Sequence, residues 1–195
     1  RRMTPAQFVK AGIWLPTTKS TSTTATAPAA TTNDNNTVNL LTTFIRLLDT
    51  ADIEAHVSDD ILQSMWDKWT MLATLAGATC LMKATLGEIV STKYGSNFVQ
   101  TLFRECCAVA HAEGITVSNE AMFQRLTSDR QSIIKASMCR DMEGGGPTEA
   151  DHVLGDLILR AAHHNIATPT LSIAYARLEI YEAQRQQVAG AAVGT

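Results

Sequence analysis

Aromatic residues make up only 6% of the 195-residue chain, too few for the ring-rich alternation of a typical sheet core. Charge is sparse too. Charged residues are 18% of the chain and the net is −3, so composition points to neither a nucleic-acid partner nor an anionic membrane. No apolar run reaches the roughly 20 residues that span a bilayer. The longest nearly uncharged stretch, "WTMLATLAGATCLM" at 69–82, reads instead as a buried core helix. The four cysteines, Cys80, Cys106, Cys107 and Cys139, include no CxxC pair and read as reduced and buried, as suits an intracellular protein. No GxGxxG follows a strand pattern, and no GK[ST] follows the glycines at 144–146, so a P-loop is excluded. His163 and His164 point about 100° apart on a helix, and His152 lies three turns from His163, so no metal site is assigned.

What is present divides the chain into three. Residues 1–37 hold the low-complexity tract "TTKSTSTTATAPAATTNDNNT", which has almost nothing to bury and is expected to be disordered. Its basic residues precede any acidic one, a pattern open to a transit peptide as well as to an unrelated extension. Residues 38–57 start with a helical face of Leu40, Leu41, Phe44, Ile45, Leu47 and Leu48, followed by a short extended piece at 52–57. Residues 58–190 show no persistent strand alternation and read as all-α. Helices are expected at 58–83, capped by Ser58; at 96–113; at 119–127, capped by Ser118; and at 129–142, 149–164 and 170–187. Gly87 and Glu88 read as a chain reversal.

Two places could carry chemistry. In the long first helix of this part the only charges between Ile61 and Met82 are Asp67 and Lys68, between Trp66 and Trp69. Leu72, Leu75 and Ala76 continue the Lys68 face. A lysine there either snorkels from the edge of the core or sits in a pocket, where desolvation eases proton release to a developing alkoxide. The second place is "MEGGGPTEADHVLGD" at 142–156. A glycine stop, a Thr148 cap answered by Asp151, and Glu149 in the first turn account for each of its residues as plain helix signals.

Together these segments resemble the helical C-terminal domain of the ketopantoate reductase (2-dehydropantoate 2-reductase) family, of the 6-phosphogluconate dehydrogenase-like type. The resemblance is carried by 58–89, with its W-x-K; by 132–171, with SM-x-x-D, PTE-x-D and the H-N-I-A-T-P turn; and by "ARLEIYE" at 176–182. It implies a helical substrate and dimerisation domain, a cytoplasmic location (organellar if residues 1–37 are a transit peptide), and a homodimer. It also implies NADP(H) bound by an N-terminal Rossmann domain in the complete enzyme, a 2-keto acid substrate between the domains, and pantothenate-pathway chemistry. By position in the motifs, Lys68 matches the family's general acid and Glu149 its orienting glutamate. Ser137 matches a serine that contacts the substrate carboxylate.

Two departures accompany the match. Family asparagines fall here at Leu72, Ala76, Leu86 and Ile134, so the resemblance points to a more apolar substrate than ketopantoate. This sequence also contains no cofactor fingerprint; residues 38–57 resemble only the end of a cofactor domain. The chain by itself is expected neither to hold NADP(H) tightly nor to reduce a substrate. The rival reading is a non-enzymatic helical module that kept the fold for self-association or small-molecule binding. The enzyme reading requires Lys68 and Glu149 to face a common cleft within a few ångströms of one another, and a fully solvated Lys68 counts against it.

Overall fold

The computed structural model describes residues 34–53, 58 and 60–193. The expected disorder of residues 1–33 and most of the extended piece at 52–57 lie outside the described residues. The chain forms two compact units, Arg1–Ile61 and Leu62–Thr195.

The described part of the first unit is one helix, α1 (Asp34–Thr50). It starts one turn inside the segment expected to be leader, because an amphipathic run, once nucleated, extends backward through polar residues at little cost. Leu41, Ile45 and Leu48 are half-buried, while Leu40, Phe44 and Leu47 are exposed. The helix stops where Asp52 takes φ 60° and Ile53 N–H returns to Leu48 O at 2.9 Å. That reversal closes the open carbonyls of the last turn.

Among the described residues helices are the only regular elements of the second unit, without strands, as the lack of alternation predicts. Its axis is α2 (Ile61–Met82). The helix starts at Ile61 rather than after a Ser58 cap. Its second half is lined with small residues, so neighbours approach closely. A Cβ on Gly77 would meet Leu102 at 3.0 Å, Ala174 at 3.4 Å and Leu154 at 3.6 Å, so three other segments converge there. Buried Thr74 and Thr79 return their hydroxyls to Thr70 O and Leu75 O, each at 2.7 Å, so the polar atoms of this core helix are satisfied.

Around α2 lie α3 (Leu86–Ser91), α4 (Gly95–Ala112), α5 (Glu120–Ser128) and α6 (Ser137–Glu143), then a π-helical turn (Asp151–Gly155) leading into α7 (Asp156–His163), and finally α8 (Pro169–Val193). α4 buries Val99, Leu102, Phe103, Cys106 and Val109. The Phe103 ring stacks on Phe123 with centroids 3.9 Å apart, pinning α5 to α4. At the start of α8, the carboxylate of buried Glu105 accepts from Thr170 N at 3.0 Å and Leu171 N at 2.8 Å.

Four local expectations are corrected. Gly87 and Glu88 form no reversal; they begin α3 behind a Thr85 capping box closed by Glu88. Residues 129–136 are not helical: Leu86 N–H donates to Ile134 O at 2.8 Å and Gly87 N–H to Ser132 O at 3.0 Å, holding this segment extended beside α3. Ser118 does not cap α5, since its N–H and hydroxyl both go to the Asp67 carboxylate. Thr148 does not cap the helix after the glycines, since its N–H and hydroxyl go to Glu182 at 2.6 and 2.8 Å.

Candidate functional site

Lys68 sits in the second turn of α2 and is exposed, with no ion pair among the described residues. Of the two readings of this lysine, the described residues supply the open edge and no enclosing pocket. Its acidic neighbour does not neutralise it. The Asp67 carboxylate instead accepts from Ser118 N at 2.7 Å, from the Ser118 hydroxyl and from Gln63 Nε2 at 3.1 Å. Those bonds tie the loop before α5 to the start of α2.

The rings on either side of Lys68 are held firmly. Trp66 and Trp69 lie 4.8 Å apart at 39°, and the Arg160 guanidinium covers both, 5.6 and 5.5 Å from their centroids. Arg160 is itself fixed by Glu113 at 2.9 Å and Asp156 at 3.2 Å. The Trp69 indole Nε1 donates to Val153 O at 2.9 Å, and Val153 N–H donates to Glu149 O at 3.0 Å. Two hydrogen bonds therefore link the turn that carries Lys68 to the residue Glu149, whose side chain is exposed.

The glycines before Glu149 end α6. Gly144, Gly145 and Gly146 give their N–H groups to Arg140, Met142 and Asp141 carbonyls at 2.9, 3.3 and 2.8 Å, with Gly145 at φ 77°. These amides are spent on the helix end and cannot cradle a phosphate. Asp151, the second carboxylate of this stretch, accepts from Tyr175 OH at 2.8 Å. That bond, with burial and the Asp151 charge, pushes the Tyr175 phenol up to about 12.

Ser137 opens α6 and is exposed. Its neighbour Ala136 donates N–H to Thr79 Oγ1 at 3.3 Å, and the Cys139 thiol donates to Thr79 O at 3.2 Å. Thr79 lies on the same face of α2 as Lys68, about three turns further on. Ser137 is therefore fixed along the lysine's face but well removed from it, whereas Glu149 is tied to the lysine's turn through Val153 and Trp69. Of the four apolar replacements, Ala76 and Leu86 are core residues, while Leu72 and Ile134 are 46% and 37% exposed.

Two concavities lie elsewhere in this unit. One, of about 410 Å³, is lined by Phe103, Cys107, His111 and Val117 among others. The other, of about 480 Å³, is lined by Thr148, Asp151, Tyr175 and Glu182 among others. Neither is lined by Lys68, Ser137 or Glu149. The cysteines are free, and burial pushes the Cys80, Cys106 and Cys107 thiols up to about 12, which leaves them poor nucleophiles. Among the described residues, no group of three histidine, cysteine, aspartate or glutamate side chains is placed to hold a metal. No described helix is long and apolar enough to cross a membrane.

Sequence reasoning missed the Trp69 and Glu182 contacts. An indole beside the lysine was the available signal for the first. The second had none, since Glu182 reads as an ordinary exposed helical glutamate. Burial works against its charge, but the Thr148 hydroxyl and N–H and the Arg185 guanidinium, at 2.9 Å, outweigh burial and hold the carboxyl below its ordinary range. A carboxyl lowered by folding adds stability above its unfolded pKa of about 4.3 and loses it as pH falls through the folded value. Thermal unfolding measured stepwise from pH about 5 to about 3 should therefore fall less steeply for Glu182→Gln than for the parent; parallel curves would refute this role.

The fold defined by these helices is that of the C-terminal half of ketopantoate reductase-type dehydrogenases. The ketopantoate reductase of Ralstonia eutropha JMP134 superposes with a TM-score of 0.68 at 20% identity, over 74% of this chain and 49% of that one. The dimeric ketopantoate reductase of Staphylococcus aureus gives 0.65 at 25% identity, over 75% and 52%. The family profile described as ketopantoate reductase PanE/ApbA C terminal matches residues 60–182, and the chain belongs to that oxidoreductase family. The uncharacterized oxidoreductase YkpB of Bacillus subtilis is 38% identical over 135 residues, 68% of this chain and 44% of that protein. The 2-dehydropantoate 2-reductase of Halobacterium salinarum is 28% identical over 123 residues, 63% and 41%. The chain thus spans about half the length of these relatives or somewhat less.

Proposed function

We propose that this chain is the substrate-binding and dimerising helical half of an NADPH-dependent 2-keto acid reductase whose substrate is more apolar than ketopantoate. The observation that carries this reading is the tie between the Lys68 turn and Glu149 through Trp69 and Val153, inside the region that matches the family.

The proposed roles follow from the side chains. The Lys68 ammonium donates a proton to the alkoxide oxygen that forms from the keto group. The Glu149 carboxylate accepts hydrogen bonds from substrate and cofactor hydroxyls and so sets their orientation. The Ser137 hydroxyl donates to the substrate carboxylate. The reduced nicotinamide, when bound, supplies the hydride to the keto carbon. The described residues fit the proton half of this chemistry but not the dinucleotide, because the glycine amides are already spent on the end of α6. The exposure of Lys68 is consistent with a site whose other wall comes from a cofactor-binding half.

Leu72 and Ile134 offer methyl groups where the family pattern has asparagine, while Ala76 and Leu86 are buried in the core and offer no contact at all. The test is NADPH oxidation by the native protein that carries this chain, with ketopantoate compared against branched and aromatic 2-keto acids. The apolar substrates should exceed ketopantoate in kcat/KM by about tenfold or more. A preference for ketopantoate overturns the altered specificity. Failure to reduce any 2-keto acid, with NADPH or NADH, favours the non-enzymatic module.

A further inference from the structure

The geometry points to Trp69 as a positioning residue that sets where Glu149 stands relative to Lys68, an inference that rests on the site reading above. Three observations converge on it. The helix that follows Glu149 does not begin as a regular α-helix: Asp156 N–H reaches back five residues to Asp151 O, which makes 151–155 a π-helical turn. Such turns are rare and concentrate at functional sites. Here the wide turn is clamped from two sides. On one, Tyr175 holds the Asp151 carboxylate through its hydroxyl at 2.8 Å, and its ring lies so close to Gly155 that a Cβ there would meet it at 3.2 Å. On the other, Trp69 donates its indole N–H to Val153 O at 2.9 Å.

Trp69 is no loose tether. Its ring packs against Trp66 and lies under Arg160, and Arg160 comes from α7, the continuation of the same π-turn. The indole is thus held by α2, by the π-turn and by α7 at once, next to Lys68. Phenylalanine in its place keeps an aromatic ring in the stack and removes the donor, so the turn below Glu149 loses its fixed distance from the lysine while the packing largely remains.

A double-mutant cycle in the complete reductase tests this, with Trp69→Phe made in the parent and in Glu149→Gln. A residue acting only through Glu149 should cost roughly ten- to a hundredfold in kcat/KM in the parent and less than about twofold once Glu149 is already altered. A residue with a general packing role costs the same in both backgrounds, and that result overturns the inference, as does a silent Trp69→Phe beside a damaging Glu149→Gln. A silent Glu149→Gln instead overturns the site reading, and the inference with it. Independently of activity, the Trp69 indole N–H should be protected from hydrogen exchange in this chain; exchange at the rate of an exposed indole shows that the bond is absent and overturns the inference directly.

Discussion

If the proposed function holds, Lys68→Ala in the native protein that carries this chain should lower kcat/KM for a 2-keto acid by about 10²–10⁴-fold, the range that a positioned general acid supplies. The same change should leave stability within about 0.5 kcal/mol of the parent, the usual effect of a surface substitution. The activity half follows from the proposed general-acid role, the stability half from one observation. Lys68 is exposed and has no ion pair among the described residues, so truncation breaks no described ion pair, and alanine suits a helix at least as well as lysine. A lysine kept for structure behaves in the opposite way, losing stability with modest effect on rate. Steady-state NADPH oxidation and thermal unfolding, measured on the same preparation, separate the cases. Activity within about threefold of the parent would place Lys68 outside the chemistry, and the proton donor would then have to be another group. Lys68→Arg keeps the charge but is a poorer acid, so it should recover little of the lost rate.

The parts of this fold that were legible in the sequence are those decided by composition over many residues. α2 was readable because a long, nearly uncharged run of small and apolar residues has no better place than a core. The start of α8 was readable because Pro169 opens it. Misreadings cluster where a short polar side chain had more than one suitor. Ser118 and Thr148 are both good caps by local rules, yet Asp67 takes the first and Glu182 the second. Residues 129–136 followed the same logic. Their helical pattern was plausible, but the N–H groups of Leu86 and Gly87 at the opening of α3 need acceptors, and the extended segment supplies them. Sequence separation hides such competition, since the partner is found only after the helices have packed. At the site, Lys68, Ser137 and Glu149 were singled out by motif order. Their spacing in three dimensions was not readable, because it depends on an indole and a π-turn that no periodicity announces.

Glu105→Ala should destabilise the helical unit by about 3 kcal/mol, from two charge-assisted hydrogen bonds lost at a buried helix end. α4 is apolar on its inner face, and one carboxylate among Leu102, Phe103, Cys106 and Val109 is costly to bury unless it is fully bonded. Both oxygens are bonded, to Thr170 N and Leu171 N. The carboxylate thus caps α8 from another helix and also meets the positive end of its dipole. Removing it leaves two amides of the first turn of α8 without that acceptor, where water has little access. For a domain of this size, 3 kcal/mol corresponds to a Tm lower by roughly 6–12 °C. Glu105→Gln keeps the volume and one acceptor oxygen, so it should lie between alanine and the parent. That ordering separates capping from simple filling of space, because a space-filling role predicts glutamine equal to glutamate. A Tm for Glu105→Ala within about 2 °C of the parent would show that the first turn of α8 is held by packing of Leu171 and Ala174 alone. The carboxylate would then be a tolerated burial rather than the anchor of the helix.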